Sequence, residues 1–195
     1  MDFFILETLC YKTKLGSRLS RSLSHFEKDK LMEDIQQAIY FYNEQQSIIE
    51  SFSTSYRIKS MQSVRVKYNR YDPTIAVDRV YNDLLGFRIT CDNYDTLDLS
   101  SKLIRRISDM RDGKKTDDGY RGVHVYVQPT HEYYPIEIQF NTYSDRLFAD
   151  WTHIYLYKQE SADVGKHLRD MYDKGAINSE DDFREELKNV LSNRN

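Results

Sequence analysis

Two runs of strictly alternating apolar and polar residues lie in the second half of the chain, between Gly119 and Thr142. The apolar positions are three valines in the first run and isoleucine, isoleucine and phenylalanine in the second. A period of two is typical of strands with one buried face, and the link from Pro129 to Pro135 suits a hairpin. The polar positions carry an imidazole, a phenol, amides and a carboxylate: His124, Tyr126, Gln128, Glu137, Gln139 and Asn141. Such a face can hold a metal ion or a polar ligand.

The pattern before this hairpin predicts a long helix followed by short strands. Ser24 and Glu27 have the spacing of a capping box, and a helical pattern follows them to about Phe52. The segment from Arg57 to Tyr68 is basic and partly β-branched, so it can contain a strand. The apolar run from Leu84 to Cys91 is typical of a buried strand.

Further helices are predicted on both sides of the hairpin. Leucines and isoleucines recur at roughly helical spacing from Thr96 to Met110, and again around Trp151. Ser179 is a suitable N-cap for an amphipathic helix that reaches Leu191. Because there is no repeat and no linker, we predict one domain over residues 1–195, with helical regions at about 1–52 and 145–195. The predicted fold class is α+β, a small mixed β-sheet flanked by helices.

The charge is unevenly distributed along the chain. The net charge of the 195 residues is −3, so the whole molecule is not a general binder of polyanions. The segment from Tyr56 to Tyr71 nevertheless contains no acidic residue and five basic ones: Arg57, Lys59, Arg65, Lys67 and Arg70. A local basic patch suggests a site for phosphates, although a solvated helix or strand face explains this segment equally well when it is taken alone.

Several kinds of site are excluded by what the sequence lacks. Two isolated cysteines, Cys10 and Cys91, are too few for a disulfide framework or a thiolate metal site. No apolar run could cross a membrane, and no basic residues precede the apolar start as in a signal peptide, so we expect a cytoplasmic protein. The sequence also lacks the glycine-rich phosphate loop and the H-E-x-x-H zinc motif. A nucleotide would therefore have to be bound by side-chain cations and a metal held by carboxylates.

Asp83 and Glu137 are the candidate carboxylates for such a metal. Asp83 stands just before the apolar strand, where an acidic residue is more often a turn former or a helix cap. Glu137 lies on the polar face of the second hairpin strand, where a solvated carboxylate is ordinary. Together they match the one or two carboxylates that usually hold Mg²⁺ beside substrate phosphates. Cations that could neutralise a triphosphate are available at Arg57, Lys59, Lys67 and Arg88.

Five segments, in this order, resemble motifs of the synthetase domain of RelA/SpoT-type alarmone synthetases. They are R-I-K-S-M-Q-S-V-R-V-K at Arg57–Lys67, D-L-L-G-F-R-I at Asp83–Ile89, G-Y-R-G-V-H at Gly119–His124, I-E-I-Q-F-N-T at Ile136–Thr142 and A-D-W-T-H-I-Y-L-Y-K at Ala149–Lys158. Any one of them is a weak signal, but five in the right order and spacing are specific. The chain is too short for an added hydrolase domain, so the resemblance is to compact, single-domain synthetases.

The resemblance implies an enzyme that transfers pyrophosphate from ATP to a ribose 3′-hydroxyl, with AMP leaving and Mg²⁺ as cofactor. It implies that Asp83 and Glu137 bind the metal, or that Glu137 takes the proton of the attacking hydroxyl. The residues that it implies for ATP are Arg57, Lys59, Lys67 and Arg88. The residues that it implies for the acceptor are Tyr120, Arg121, His124 and Gln139, with Tyr120 stacking on the base. The structural alternative for Tyr120 and Arg121 is a turn that leads into a strand.

The chain departs from the family pattern on the acceptor side. Where many members carry P-K-x-N before the G-Y pair, this chain has K-T-D-D from Lys115 to Asp118, and Asn141 stands where an arginine is usual. An aspartate near the acceptor can repel a 5′-diphosphate and changes the hydrogen bonds offered to a base. The donor and metal motifs are kept while the acceptor motifs differ, and this asymmetry points to a different acceptor.

We therefore predict a toxin-like member that places pyrophosphate on the 3′ end of tRNA and stops translation. The alternatives are synthesis of (p)ppGpp from GDP or GTP and ATP, an adenosine alarmone, and an inactive nucleotide-binding regulatory module. A tRNA would need basic surface, for which the candidates are Lys12, Lys14, Arg18, Arg21, Lys28 and Lys30. A protein antitoxin and a homo-oligomer are left open as further partners, and no membrane partner is expected.

Overall fold

The computed structural model describes residues 3–53, 55–156 and 162–192. Five strands of this part of the chain form a sheet in the order β1-β2-β5-β4-β3. They are β1 (Tyr56–Ile58), β2 (Leu85–Thr90), β3 (Ile104–Asp109), β4 (Val123–Val127) and β5 (Ile136–Asn141). β1 pairs with β2 in antiparallel fashion, which places Arg57 opposite Gly86. β5, the strand of Glu137, is thereby the central strand.

Eight α-helices accompany the sheet within the described residues: α1 (Phe3–Thr8), α2 (Lys28–Glu44), α3 (Gln46–Phe52), α4 (Met61–Arg70), α5 (Val77–Val80), α6 (Tyr143–Trp151), α7 (Ala162–Asp173) and α8 (Glu180–Ser192). A π-helical segment, Thr152–Leu156, follows α6 directly. None of the described helices is both long and apolar enough to cross a membrane. The predicted α+β fold, with a small mixed sheet flanked by helices, is confirmed.

The described residues form two compact units. The N-terminal unit comprises those of Met1–Ile89, Asp98–Ile107 and His124–Gln139, and the C-terminal unit comprises those of Thr90–Leu97, Ser108–Val123 and Phe140–Asn195. Each unit has a buried core of its own. The prediction of one domain over residues 1–195 stays a prediction.

The core of the N-terminal unit includes one face of α2. Leu31, Ile35, Ala38 and Tyr42 recur every three or four residues along this helix and are fully buried. Burial of each large apolar side chain contributes about 1.5–3 kcal/mol, so this stripe fixes which face of α2 points inward. The buried carboxylate of Asp34, on the same helix, accepts three hydrogen bonds, from the Thr13 hydroxyl, the Lys14 backbone N–H and the Tyr134 hydroxyl.

The core of the C-terminal unit is built by its three helices and the turn between the last two. Its buried members are Phe148, Trp151, Val164, Leu168, Ile177, Phe183 and Leu187. Beside this core the buried carboxylate of Asp145 accepts hydrogen bonds from the hydroxyls of Tyr94 and Thr142, both at 2.6 Å. Arg169 of α7 lies 2.6 Å from the same carboxylate. This network ties α6 to α7 and to the segment before β3.

The hairpin, the buried strand and the last helix agree with the sequence patterns. β4 and β5 are neighbours in the sheet, and β2 lies within the predicted Leu84–Cys91 run. The Ser179 hydroxyl accepts the backbone N–H of Asp182, as expected of an N-cap. The polar face of the hairpin is more buried than its composition suggests, since Tyr126 and Asn141 are only 7% and 2% exposed.

Three local predictions were wrong or incomplete. The Thr96–Met110 segment is not a helix: it ends in β3, where burial alternates with period two although the apolar spacing is also compatible with a helix. The capping box does not form, because α2 begins at Lys28 and the Ser24 hydroxyl bonds to Ser22 instead. α7 was not predicted, although two of its buried residues, Val164 and Leu168, have helical spacing.

Candidate active site

Asp83 lies at the centre of a cluster of basic side chains in the N-terminal unit. Its carboxylate contacts the Nζ of Lys59, the Nζ of Lys67 at 3.0 Å and the Nη2 of Arg57 at 3.5 Å. The side chains of Lys59 and Lys67 are 7% and 11% exposed, whereas that of Arg57 is 63% exposed. Within this cluster, Arg57 is therefore the cation most accessible to a ligand.

The end of a strand and the start of a helix bring the two lysines to Asp83. The backbone N–H of Lys59 donates to the carbonyl of Leu84 at 2.9 Å, just beyond the paired residues of β1 and β2. Ser60 then caps α4, because its side chain accepts a backbone N–H from the first turn. Lys67 lies in the second turn of this helix. The segment Arg57–Lys67 thus brings the ammonium groups of Lys59 and Lys67 into contact with the carboxylate of Asp83.

Asp83 is ionised at neutral pH. Burial raises its pKa, but the nearby charges of Lys67 and Lys59 outweigh burial and bring this pKa below its usual value of 3.8. Burial also brings the pKa of Lys59 below its usual 10.5, although the charge of Asp83 acts to raise it. If the phosphates of a substrate bound Lys59 and Lys67, the ionised carboxylate of Asp83 would be available to bind a metal ion.

Glu137 is held by three hydrogen-bond partners from the hairpin. Its Oε1 lies 3.2 Å from the His124 Nδ1 and accepts the Tyr126 hydroxyl at 3.0 Å, and its Oε2 accepts the Gln139 amide at 2.8 Å. Burial raises the pKa of Glu137, but the interactions with His124 and Gln139 bring it below its usual value of 4.5. Glu137 is therefore a fixed, ionised carboxylate.

A cleft of about 230 Å³ in the N-terminal unit brings the donor and metal candidates together. It is lined by Ser55, Tyr56, Arg57, Asp83, Gly86, Phe87, Arg88, Glu137 and Gln139. A Cβ built on Gly86 would lie 3.8 Å from the Glu137 Oε2, so the glycine leaves the carboxylate open to the cleft. Both carboxylates and two of the predicted ATP-binding cations thus share one concave surface.

The side chains of this cleft fit a Mg²⁺ ion that is completed by substrate. No group of three or more His, Cys, Asp or Glu side chains is arranged to hold a metal anywhere in the described part of the chain. Mg²⁺ is usually held by one or two carboxylates together with substrate phosphates and water, and hard oxygen donors of this kind are what Asp83 and Glu137 supply. These two residues would hold the ion.

In the C-terminal unit, Tyr120 is fixed through its hydroxyl. The side-chain amide of Asn141 donates to the Tyr120 hydroxyl at 3.1 Å and to the Arg121 carbonyl at 2.7 Å. A Cβ on Gly122 would lie 2.7 Å from the amide nitrogen and from the same hydroxyl, so only glycine fits there. The Nζ of Lys114 lies 4.9 Å from the centre of the partly exposed Tyr120 ring. A ring held in this way can stack on a base.

The cations around Tyr120 are paired with neighbouring carboxylates. Arg121 makes a two-pronged ion pair with Asp117, with contacts of 2.7 and 3.0 Å. The hydrogen bonds from Arg121 bring the pKa of Asp117 below its usual value. Lys114 lies 2.7 Å from a carboxylate oxygen of Asp118. Asp118, which departs from the family pattern, and its neighbour Asp117 therefore neutralise Lys114 and Arg121.

The predicted site residues fall into two groups. The six donor and metal residues, with His124 and Gln139, lie in the N-terminal unit around Asp83 and Glu137, whereas Tyr120 and Arg121 belong to the C-terminal unit. The sequence interpretation did not assign a role to Tyr126 or Asn141, although their alternation with Val125 and Phe140 had placed both on the polar face. Tyr157 and Lys158, at the end of the fifth family-like segment, lie outside the described residues.

Comparison with known proteins identifies a family model and several solved structures. The model for a region found in RelA/SpoT proteins matches residues 56–162. The structure of small alarmone synthetase 2 from Bacillus subtilis is 20% identical, with 85% of this chain and 97% of that chain covered and a TM-score of 0.46. Small alarmone synthetase 1 from Bacillus subtilis, bound to its product pppGpp, is 20% identical, with 62% of this chain and 75% of that chain covered and a TM-score of 0.42. A GTP pyrophosphokinase family protein from Streptococcus pneumoniae is 18% identical, with 82% of this chain and 95% of that chain covered and a TM-score of 0.41. No curated protein matches the sequence significantly.

Proposed function

The chain belongs to the RelA/SpoT family and is a pyrophosphokinase with ATP as donor, and we propose that its acceptor is the 3′ end of tRNA. In this reaction the ribose 3′-hydroxyl loses its proton to water, and its oxygen forms a bond to the β-phosphorus of ATP. The bond from that phosphorus to the oxygen bridging the α- and β-phosphates breaks, and AMP leaves with the electron pair. Such an enzyme would work in the cytoplasm as a translation-blocking toxin. A protein antitoxin and self-association belong to the same proposal.

The neutral loop before Tyr120 is the observation that carries the choice of acceptor. From Asp109 to Arg121 there are four basic and four acidic residues, and Lys114 and Arg121 are paired with Asp118 and Asp117. A free GDP or GTP brings a multiply charged 5′-phosphate chain, which such a loop attracts poorly. The terminal adenosine of tRNA carries a single phosphodiester on its 5′ side. A neutral loop around a stacking tyrosine suits that adenosine better.

The cleft in the N-terminal unit supplies the donor half of the proposed reaction. Arg57 and Arg88 would hold the triphosphate at the cleft surface, while Lys59 and Lys67 would turn from Asp83 to the phosphates. A Mg²⁺ ion held by Asp83 and Glu137 would neutralise charge on the triphosphate. The low pKa of Glu137 makes it a weak proton acceptor, so we assign it mainly to orienting the 3′-hydroxyl and binding the ion.

Transfer of label from [γ-³²P]ATP tests the acceptor. The purified protein would be incubated separately with deacylated tRNA, GDP and GTP, and the products separated by gel electrophoresis and thin-layer chromatography. We expect label in tRNA, and none in a tRNA that ends in 3′-deoxyadenosine, which lacks the attacking hydroxyl. Label only in a guanosine tetra- or pentaphosphate would contradict the tRNA proposal while leaving the pyrophosphokinase activity in place. Glu137→Gln should reduce either product by about 10²-fold or more, because a carboxylate that holds the ion and orients the attacking hydroxyl is lost.

A guanosine nucleotide is the second candidate acceptor, since Lys114 lies over the Tyr120 ring and needs only to leave Asp118 to meet a 5′-phosphate. Asp118→Asn removes the carboxylate that holds this lysine. If GDP is the acceptor, this variant should lower the KM for GDP by about 5–10-fold. With tRNA as the acceptor, the variant should leave transfer to GDP undetectable.

A further inference from the structure

Arg106 in β3 stacks on the ring of Tyr126 in β4, and both residues belong to the N-terminal unit. The guanidinium carbon lies 3.4 Å from the centre of the ring. At that distance the planar cation and the aromatic face are in direct contact. Tyr126 is only 7% exposed, so this contact is largely shielded from water.

Ion pairing does not account for the place of Arg106. None of the ion pairs formed among residues 3–53, 55–156 and 162–192 includes this arginine, and its Nη2 is buried without a hydrogen-bond partner among them. A buried N–H of a charged group without an acceptor is costly, and natural proteins contain few of them. What places Arg106 is therefore its interaction with Tyr126, to which it is bound by stacking, by charge and by a side-chain hydrogen bond.

The hydroxyl of Tyr126 connects this pair to Glu137, because it donates to the Oε1 of that residue at 3.0 Å. A phenol can keep this geometry only if its ring does not tilt or slide. We propose that Arg106 is a positioning residue for Glu137 that acts through Tyr126, an assignment that rests on the proposed role of Glu137 in catalysis. The guanidinium holds the plane of the ring, the ring holds the hydroxyl, and the hydroxyl fixes the carboxylate.

Other groups besides Tyr126 surround the carboxylate of Glu137. His124 of β4 and Gln139 of β5 contact the carboxylate, Asp83 faces it with a like charge, and Arg57 and Arg88 line the same cleft. If Tyr126 is loosened, His124 and Gln139 still hold the carboxylate in the cleft. Glu137 should then lose its exact orientation, so that kcat falls while the KM for ATP changes little.

Arg106→Met, Tyr126→Phe and the double variant, compared with the wild-type enzyme, test the proposal. Arg106→Met should lower kcat by about tenfold with the KM for ATP within about twofold, and Arg106→Lys, which keeps a cation beside the ring, should recover part of the lost kcat. Tyr126→Phe should behave alike, and Arg106→Met should add little to it, because both act through one hydrogen bond. Arg105→Met is the matched control: Arg105 donates to the carbonyls of Gln128 and Pro129, and its replacement should leave kcat and the KM for ATP unchanged.

Two outcomes would overturn the role of Arg106 without touching the proposed function. One is an Arg106→Met enzyme with wild-type kcat while Glu137→Gln is inactive. The other is an Arg106→Met substitution that lowers thermal stability and lowers kcat as much in the Tyr126→Phe background as in the wild type, which would indicate structural support that does not act through the Tyr126 hydroxyl. An active Glu137→Gln enzyme would instead contradict the proposed function itself, whatever Arg106 does.

Discussion

Lys59 and Asp83 form a buried ion pair, and such pairs are seldom selected for stability. Burial lowers the pKa of Lys59, and its side chain is only 7% exposed. The cost of removing both charges from water offsets much of their attraction, so an apolar side chain of similar size can be as stabilising. The arrangement is explained better by a ligand that brings its own negative charge into the cleft.

Lys59→Met tests this explanation at the residue scale. The variant keeps most of the side-chain volume, and Lys67 and Arg57 remain beside Asp83. We expect the free energy of unfolding to change by no more than about 1 kcal/mol, because Lys67 and Arg57 still compensate the charge of Asp83 and the ammonium of Lys59 no longer has to be desolvated. If Lys59 binds the triphosphate as proposed, kcat/KM for ATP should fall by about 10²-fold or more, because that cation is gone.

Urea unfolding and steady-state kinetics would check both parts. Lys188→Met, an exposed substitution in α8, is the control and should change neither quantity. A Lys59→Met protein that is strongly destabilised, or that keeps full activity, would disagree with the role given to this cluster.

At the scale of elements, α7 meets the loop before Tyr120 through two glycines. A Cβ built on Gly165 of α7 would lie 2.1 Å from the carbonyl oxygen of Asp118, and one on Gly119 would lie 2.4 Å from the carbonyl oxygen of Gly165. Gly119 also has a φ of +84°, which favours glycine. The helix that sequence analysis missed therefore sets the position of the loop that carries Tyr120.

Gly165→Ala should displace that loop. In an unobstructed helix this substitution would stabilise by about 1 kcal/mol, so a loss of stability would come from the contact with Asp118. We expect the KM for the acceptor to rise by about tenfold and the KM for ATP to stay within about twofold. His167→Ala, on the exposed side of the same helix, is the control. Equal increases in both KM values would argue against a local effect on the acceptor loop.

The Asp145 network predicts how the stability of the C-terminal unit depends on pH. Burial raises the pKa of Asp145, but hydrogen bonds from Thr142, Tyr94 and Arg169 outweigh it and bring this pKa below 3.8. The stabilisation is therefore fully present above pH 3.8 and is lost as the pH falls through the lower, folded-state pKa.

Asp145→Asn should thus destabilise by about 3 kcal/mol at pH 7, because it leaves buried Arg169 without one of its two carboxylate partners. The difference from the wild type should shrink once the pH is below the usual value of 3.8. Chemical denaturation at a series of pH values would measure it, with the exposed Asp181→Asn as the control. A difference that stays constant down to low pH would show that the charge of Asp145 is not its cause.

At the scale of the molecule, a group of basic side chains near the N terminus contrasts with the net charge of −3 of the whole chain. Lys12 and Lys30 are paired with Glu132 and Glu27. Three other exposed cations, Lys14, Arg18 and Arg21, form no ion pair with any described residue. A tRNA backbone would meet such side chains, and each phosphate that they neutralise releases counterions.

Replacing Lys14, Arg18 and Arg21 together by glutamine should weaken tRNA binding and make it less dependent on salt. The slope of log K against log salt should decrease by about one for each phosphate that the variant no longer neutralises. Filter binding over a range of salt concentrations would give the slope, and the KM for ATP should not change. An unaltered slope would place the tRNA backbone on another surface.

The donor half of the candidate site could be predicted from sequence because its residues belong to short, ordered segments. Arg57, Lys59 and Lys67 lie in one stretch, and Asp83 stands at the start of a strand, so local structure fixes most of their arrangement. The side-chain pairs Asp117–Arg121 and Lys114–Asp118 could not be predicted, because i,i+4 spacing in a loop does not determine contact. β3 was missed for a different reason. Its six residues are too few to distinguish the period of two of a strand from the period of 3.6 of a helix.

The sequence by itself determined the family, the α+β fold class, the hairpin and the identity of the donor and metal candidates, because hydrophobic periodicity and motif order are encoded locally. Only the tertiary structure decided which of these side chains meet. It surrounds Asp83 with cations, gives Glu137 its three partners, neutralises the loop before Tyr120 and stacks Arg106 on Tyr126. Most of these contacts join residues far apart in the chain or on neighbouring strands, so their geometry follows from strand order and packing. The loop pairs join residues four apart, but their contact depends on the conformation of the loop rather than on a local sequence pattern.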